Sequence, residues 1–249
     1  MAKIRQKTHT AVLLLVICLF LCACLLIGHI GQGLANRGFR AAFESTEPER
    51  IAPKIIIDAG HGGEDGGAVA VNGALEKDLN LFVALTLEQM LTGLGCDVIM
   101  TRSSDVLLYD RDSDFEGHKK QQDLASRLSI AKNTPDAIFV SIHMNSFVQA
   151  EYSGLQVYYS QNDPSSIELA ELVQSKVRTE LQPYNNRKIK AADKGIFLLD
   201  RAPGCAVLIE CGFLSNAADA ERLCSEDFRR SLCFAISGAI VEFVREKEI

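Results

Sequence analysis

A short apolar run that leads into an acid and a histidine constrains this chain more than any other stretch. Residues 55–57 are all isoleucine, Asp58 follows them, and His61 stands among glycines. Three β-branched residues in a row predict a buried strand, and the glycines indicate a sharp bend or a close backbone contact. Open α/β sheets bind ligands beyond the carboxyl ends of their strands. We therefore expect His61 to lie at the functional edge of a sheet.

Two later stretches repeat this design, each an apolar run that ends in a side chain able to bind a metal or a proton. Residues 137–143 end in His143, and residues 206–210 end in Glu210. Apolar runs of this kind are typical of strands inside a sheet, and helical spacing of apolar residues lies between them. The sequence therefore predicts a single α/β domain with a mixed, mostly parallel six-stranded sheet flanked by helices.

The individual elements follow from the same periodicities and from turn residues. Six strands are expected, at residues 55–58, 97–101, 137–143, 154–160, 196–199 and 206–211. Four helices are expected, at residues 76–94, 122–133, 165–181 and 227–246. The connection between the last two strands is too short for a crossover helix, so they are expected to pair antiparallel. The polar stretch Ser103–Gln121 is expected to form a surface loop near the site.

The two histidines and two glutamates suggest a zinc centre. Zinc in a hydrolytic site takes three ligands from histidine and carboxylate and leaves one position for water. His61 and His143 supply two ligands, although either histidine alone is typical of a structural residue. Glu76 is the best third ligand, because it begins a helix and its carboxylate can fold back; its structural alternative is to complement the helix dipole. Glu210 is the candidate proton acceptor and donor, and one zinc ion per chain is expected.

Four other polar residues are candidates for supporting roles. Asp58 could orient a metal ligand or accept hydrogen bonds from loop amides. Asn145 could orient the substrate or the metal ligands. Arg102 and Arg127 could contact the substrate or support the site from behind. A structural alternative is that one of these arginines forms an ion pair with Glu210, whose carboxylate is otherwise costly at the end of an apolar run.

The start of the chain predicts export or membrane attachment. Residues 1–10 are basic, residues 11–28 are apolar and uncharged, and residues 29–53 resemble a tether. The apolar length is at the lower limit for spanning a bilayer, and the preceding positive charges predict a cytoplasmic N-terminus. We favour an uncleaved anchor over a cleaved signal peptide, and Leu21–Cys24 resembles a lipoprotein cleavage site only faintly. In each case residues 54–249 are expected to fold outside the cytoplasm.

Composition excludes one class of partner. The chain carries 26 basic and 32 acidic residues, for a net charge of −6. A nucleic-acid-binding domain needs a basic face, so nucleic acid is not expected as a partner. The five cysteines of the predicted domain show no paired spacing, which favours buried thiols. One disulfide that involves Cys224 or Cys233 is the alternative.

Five short motifs occur in order along the predicted domain, at residues 58–63, 76–80, 100–102, 141–145 and 209–216. Together they resemble the zinc-dependent N-acetylmuramoyl-L-alanine amidases of the type 3 amidase family, from about residue 54 to the C-terminus. The resemblance implies zinc bound by His61, Glu76 and His143, with Glu210 as the catalytic acid and base. It also implies cleavage of the amide between N-acetylmuramic acid and the L-alanine of the peptidoglycan stem peptide.

Three features narrow the resemblance to the germination-specific amidases expressed during sporulation. They are the short hydrophobic segment, the expectation that no wall-binding domain is added, and the polar loop around residues 111–121. Such enzymes remove stem peptides so that muramic-δ-lactam can form in spore cortex. A regulatory partner protein is conceivable, although no residue indicates one. The alternatives are another zinc peptidase that acts on wall peptides, or a non-catalytic wall-binding scaffold, which would not need all four site residues.

Overall fold

The computed structural model describes residues 52–110 and 118–248. Its strands are β1 (Lys54–Ala59), β2 (Asp97–Met100), β3 (Ile138–Asn145), β4 (Gln156–Tyr159), β5 (Lys190–Ala191) and β6 (Ala206–Phe213). They form one sheet in the order β2-β1-β3-β6-β4-β5. Neighbouring strands are parallel except for β4 and β6, which are antiparallel. The predicted α/β class with a mixed, mostly parallel six-stranded sheet is confirmed.

Six helices surround this sheet in the described part of the chain. They are α1 (Glu76–Gly93), α2 (Lys119–Asn133), α3 (Ser165–Glu180), α4 (Phe197–Arg201), α5 (Ala217–Cys224) and α6 (Glu226–Glu246). The four predicted helices correspond to α1, α2, α3 and α6, and only α4 and α5 are additional. Helix α5 is short but has its own start signal, because the Asn216 side chain accepts a hydrogen bond from the Asp219 amide.

The helices cover both faces of the sheet because the central strands are apolar on both sides. Ile55 and Ile57 point to a larger core shared with α1, α3, α5 and α6. Ile56 points to a smaller core shared with α2 and α4. Burying one such side chain contributes about 1.5–3 kcal/mol relative to leaving it in water. The alternation of faces along β1 therefore fixes the strand firmly between two layers of helices.

The predicted strand at residues 196–199 is wrong, and so is its antiparallel pairing with the last strand. Most of this stretch belongs to α4, and β6 instead pairs antiparallel with β4, with Val157 opposite Ile209. A short apolar run does not distinguish a buried strand from a buried helical turn. Here Leu198 and Leu199 are both buried against the smaller core, and a helical turn brings neighbouring leucines onto that core together.

Several predictions concern residues that the structure does not describe. The basic N-terminus, the hydrophobic segment and nearly all of the tether lie outside the described residues, and so do residues 111–117 of the polar loop. Residues 103–110 contain no helix or strand, and α2 begins three residues earlier than predicted. No described helix is both long enough and apolar enough to cross a membrane.

The five cysteines of the described residues are all free thiols. Four of them are buried, and Cys224 is partly exposed. The sulfur of Cys224 accepts a hydrogen bond from the Asn72 side chain at 3.2 Å. The structure thus agrees with the interpretation as small buried residues for four of the cysteines, and it contains no disulfide among the residues it describes.

Candidate functional site

Three parallel strands end side by side at one edge of the sheet. The register places Asp58 of β1 opposite Ser141 of β3, and His143 of β3 opposite Glu210 of β6. Adjacent strands lie about 4.8 Å apart, so paired residues in neighbouring strands present their side chains to the same face. The order of β1, β3 and β6 therefore assembles the polar side chains that end the three apolar runs.

The loop after β1 turns back tightly because two glycines leave room for the site. His61 has a φ of 60°, a left-handed conformation that is unusual for a residue with a Cβ. A Cβ on Gly60 would clash with the His143 ring. A Cβ on Gly67 would lie 2.6 Å from a carboxylate oxygen of Glu76. Glycine is thus required at both positions because a larger residue would overlap the site residues, and not only because the chain bends there.

Two imidazoles and one carboxylate converge at this edge. His61 Nε2 lies 3.2 Å from Glu76 Oε1, and His143 Nδ1 lies 3.0 Å from the same oxygen. The two rings meet edge to face, with centroids 5.0 Å apart. One potential ligand atom from each residue falls within 4.8 Å of the others. Three segments distant in sequence thus supply a group of nitrogen and oxygen donors suited to a metal ion.

Glu76 is held in place by main-chain and side-chain donors. The residue is 3% exposed, and its Oε2 accepts a hydrogen bond from the Ala68 amide at 2.8 Å. Its Oε1 accepts hydrogen bonds from the Met144 amide and, at 3.4 Å, from Asn80 Nδ2. Burial by itself would raise the pKa of Glu76, but the two imidazoles hold that pKa well below its ordinary value. The carboxylate is therefore charged at neutral pH.

An acid that the sequence analysis missed lies behind His61. Asp65 Oδ2 lies 2.9 Å from His61 Nδ1, without the alignment of a hydrogen bond. Burial lowers the pKa of His61, but Glu76 and Asp65 outweigh it and leave the pKa above its ordinary value. A carboxylate near the far nitrogen of an imidazole is the usual arrangement around metal-binding histidines. The signal in the sequence was that Asp65 follows His61 by four residues within the same glycine-rich loop, which places an acid close to the histidine.

Glu210 faces the same cleft but is not one of the three converging residues. Its Oε2 is enclosed and has no hydrogen-bond partner among the described residues. Burial raises the pKa of Glu210 to about 7, against a smaller lowering effect of His143. The cleft has a volume of about 260 Å³, and its walls include both histidines, Glu210, Leu208 and Phe197. A carboxyl group of this kind can exchange a proton near neutral pH.

Asp58 accepts its hydrogen bonds from residues other than the two histidines and supports the loop that carries His61. It is completely buried and accepts hydrogen bonds from Arg127 Nη1 at 2.7 Å and Ser141 Oγ at 2.6 Å. Arg127 also pairs with Asp123 at 2.8 Å and donates to the carbonyl of His61. Although burial raises the pKa of Asp58, Arg127 and Ser141 bring it below the ordinary value. The charge is thus retained inside the protein.

The alternative in which Arg102 or Arg127 forms an ion pair with Glu210 is wrong. The salt bridges of Arg127 go to two aspartates. Arg102 donates to the carbonyls of Ala59, Gly60 and Lys77 at 2.8–2.9 Å. Both guanidinium groups therefore hold the main chain of the glycine-rich loop, and the partly buried carboxyl group of Glu210 faces the cleft without an arginine partner.

Asn145 lies apart from the other predicted site residues. The pairing of β3 with β6 shifts between His143 and Asn145, which places Asn145 opposite Phe213. Beyond this irregularity Asn145 lines a second cleft together with Arg187 and Phe213. Strand bulges near active sites commonly redirect side chains in this way.

The fold and the site together define a class of protein. It is an α/β protein with a His/Glu/His donor group at the carboxyl ends of three parallel strands, beside a carboxyl group whose pKa is raised by burial. Metal-dependent hydrolases have this combination of donors and acid–base group.

Comparison with known proteins identifies the family. Residues 55–242 match the N-acetylmuramoyl-L-alanine amidase family Amidase_3, and the chain belongs to this family. It is 33% identical over 198 residues to the germination-specific N-acetylmuramoyl-L-alanine amidase of Bacillus subtilis. That alignment covers 79% of this chain and 82% of the relative. It is 31% identical over 184 residues to the sporulation-specific amidase of the same organism, covering 72% of this chain and 63% of the relative.

A solved structure supports the same assignment. The CwlD amidase from Clostridioides difficile, determined in complex with the GerS lipoprotein, superimposes with a TM-score of 0.73 at 36% identity. The match covers 78% of this chain and 98% of that one. The predicted family is thus confirmed, and the chain is an enzyme, a peptidoglycan N-acetylmuramoyl-L-alanine amidase.

Proposed function

We propose that this enzyme uses one zinc ion, held by His61, Glu76 and His143, to hydrolyse the amide between N-acetylmuramic acid and L-alanine. The observation that carries this proposal is the convergence of their ligand atoms within 4.8 Å beside Glu210. Two imidazole nitrogens and one carboxylate oxygen fit the donor set of hydrolytic zinc. When bound, zinc supplies a Lewis acid that polarises the scissile carbonyl and acidifies a water molecule.

Glu210 is the proposed catalytic acid and base. Its carboxylate accepts a proton from the attacking water, whose oxygen bonds to the carbonyl carbon. The bond from this carbon to the alanine nitrogen then breaks, and Glu210 returns the proton to that nitrogen. A pKa raised to about 7 by burial suits both steps near neutral pH. The enclosed Oε2 needs no other partner to be displaced before it acts.

The other predicted site residues take positioning roles in this proposal. Asp58, Arg102 and Arg127 hold the loop that carries His61, through the hydrogen bonds described above. Asn145 contacts the substrate from the second cleft. None of these four residues is proposed to bind the metal.

Digestion of purified peptidoglycan tests the proposed function and separates it from its alternatives. The full chain is incubated with zinc or with a chelator, and the products are identified by mass spectrometry. Free stem peptides that appear only with zinc are the expected result. Cleaved peptides still attached to sugar would instead identify a peptidase, and the absence of any product with zinc would indicate a binding scaffold.

We also propose that the enzyme acts outside the cytoplasm in the formation of spore cortex. Support comes from the names of two relatives, which are germination-specific and sporulation-specific amidases. In this proposal residues 11–28 direct export and anchor the domain, a second enzyme closes the muramic-δ-lactam ring, and a partner protein controls the amidase. The complex of the CwlD amidase with a lipoprotein supports the idea of a partner. Loss of muramic-δ-lactam from cortex after gene deletion is the expected result.

A further inference from the structure

A second cleft beside Glu210 has the features of a binding site for an anion. This arginine cleft has a volume of about 290 Å³, and its walls include Asn145, Tyr152, Gln156, Arg187, Lys190 and Phe213. It lies against the ends of β3, β4 and β6, on the same side of the sheet as the histidines. Two of its lining residues are cationic, and no acidic residue lines it in the described part of the chain.

The strand register links the arginine cleft to the proposed catalytic residue. Glu210 pairs with His143 on one side and with Gln156 on the other. The three side chains therefore form one row across adjacent strands, spaced by about 4.8 Å. Glu210 stands between the cleft of the histidines and the arginine cleft. A substrate whose scissile amide lies at Glu210 thus reaches the arginine cleft within one or two residues of extended chain.

Arg187 is held rigidly within this cleft. Its Nε donates to the Ser153 carbonyl at 2.9 Å, and its Nη1 donates to Gln156 Oε1 at 2.8 Å. The guanidinium lies 4.3 Å from the ring centroid of Phe213 and 5.4 Å from that of Tyr152. Fixing the planar group in this way prepares it to bind a planar anion with little further loss of entropy.

The charge of Arg187 is not balanced by a counterion among residues 52–110 and 118–248. Arg187 is partly buried, and it forms no salt bridge with any described residue. Arg127, by contrast, pairs with Asp58 and Asp123. A partly buried guanidinium that lacks an acidic partner favours binding of an anion from solution. The N–H groups of Arg187 that make no hydrogen bond within the protein are arranged to donate to the two oxygens of a carboxylate.

We propose that the arginine cleft binds a carboxylate of the stem peptide and so selects which peptides are cleaved. This inference rests on the proposed function, because it places the scissile amide at Glu210. The peptide side of that amide carries carboxylates, whereas the sugar side is an uncharged N-acetylated ring. The best candidate is the α-carboxylate left free by a γ-linked glutamate in the second position. Sugar stacking is disfavoured, because Arg187 already occupies positions over the Phe213 and Tyr152 rings.

Two matched substrates test this inference. N-acetylmuramoyl-L-alanyl-D-glutamate and N-acetylmuramoyl-L-alanyl-D-isoglutamine differ only in the α-carboxylate of the second residue, which is an amide in the latter compound. We expect wild-type kcat/KM to be about tenfold or more higher for the acid, the range of a charged hydrogen bond. Arg187→Gln should remove this preference by slowing cleavage of the acid alone, with zinc content unchanged.

Arg229→Gln is the matched control variant. Arg229 also stacks over a ring, 4.1 Å from the centroid of Phe82, and it also donates to a main-chain carbonyl, that of Leu223. It does not line either cleft described above. This variant should keep the preference for the acid even if its stability falls.

Equal kcat/KM of wild type for the two substrates would overturn the inference. So would an equal loss on both substrates in Arg187→Gln when Arg229→Gln shows none. If wild type cleaves neither of these small substrates, digestion of peptidoglycan decides the proposed function separately, and calorimetric binding to the Glu210→Gln protein still tests whether the arginine cleft recognises the carboxylate. Tighter binding of the acid that Arg187→Gln abolishes supports the arginine cleft, and equal binding of acid and amide rejects it.

Discussion

The carboxyl groups of Asp58, which is completely buried, and of Glu210, which is partly buried with one enclosed oxygen, have opposite properties because their partners differ. Burial raises the pKa of both Asp58 and Glu210. Asp58 has an arginine and two hydroxyl donors, so its pKa ends below the ordinary value. Glu210 has an oxygen without a described partner, so its pKa rises to about 7. The first carboxylate is suited to hold structure, and the second to exchange protons.

Glu210→Gln should strongly slow turnover without releasing the metal. The amide keeps the shape of the side chain but cannot accept the proton of water, so the rate should fall about 100-fold or more. Product release from peptidoglycan and zinc per chain are the two measurements. Glu242→Gln, at a surface ion pair with Lys176, is the control. A wild-type rate for Glu210→Gln would show that the assigned role is wrong.

Asp58 should make the stability of the protein sensitive to acid. Its folded pKa lies below the ordinary value of 3.8, so the stabilisation that it contributes is present above that pH. It is lost as the pH falls through the lower, folded-state pKa. Asp58→Asn should therefore be less stable than wild type at pH 7, and the difference should shrink below pH 3.8.

Urea unfolding across this pH range measures the effect of Asp58. Asp136→Asn, at an exposed position, controls for the change of side chain. A difference between Asp58→Asn and wild type that stays constant from pH 7 into the acid range would contradict the assignment.

At the scale of elements, the loop between β1 and α1 matters more than either element. It carries His61, passes over His143 at Gly60, and brings Glu76 back to the edge of the sheet. The main chain here is packed so closely that side-chain size decides whether the three donors can meet. This is why a strand followed by a glycine-rich segment was informative in the sequence.

Gly60→Ala should weaken metal binding while leaving the fold intact. The added methyl group would overlap the His143 ring, and relief requires a shift of the ring or of the loop. Overpacking of this kind costs about 1–3 kcal/mol. Zinc affinity by competition with a chromophoric chelator is the measurement. Gly93→Ala is the control, because nothing lies within 4 Å of its added Cβ, and zinc affinity equal to wild type in Gly60→Ala would contradict the packing argument.

At the scale of the whole molecule, the candidate metal centre links parts of the chain that are far apart in sequence. His61 follows β1, Glu76 begins α1, and His143 belongs to β3. A ligand that binds only the folded state stabilises it by about 2.7 kcal/mol at a concentration 100 times its Kd. Metal bound here should therefore stabilise the sheet and α1 together.

Removal of metal should lower the melting temperature of the protein reversibly. A chelator is expected to shift Tm downward by several degrees, and added zinc should restore it. His61→Ala should show a low Tm that neither treatment changes. Differential scanning calorimetry of the full chain is the measurement, and a wild-type Tm that is the same with chelator and with zinc would contradict a metal-linked fold.

The sequence by itself determined the sheet class, four of the six described helices and the four central side chains of the site, His61, Glu76, His143 and Glu210, but not Asp65 or Arg187. These came from local signals: apolar runs, helical spacing, glycines, and polar residues at strand ends. It also contained the short apolar stretch at residues 196–199, whose pattern could not distinguish strand from helix, and there the prediction failed.

Only the tertiary structure decided which polar groups are partners. With the strands in the order β1, β3 and β6, Arg127 forms a salt bridge with Asp58, and Glu210 faces the cleft with one oxygen that has no described hydrogen-bond partner. The irregular pairing after His143 moves Asn145 into the arginine cleft, where Arg187 has no counterion among the described residues. Strand order and register are set by packing between distant segments, and a single sequence does not display that packing.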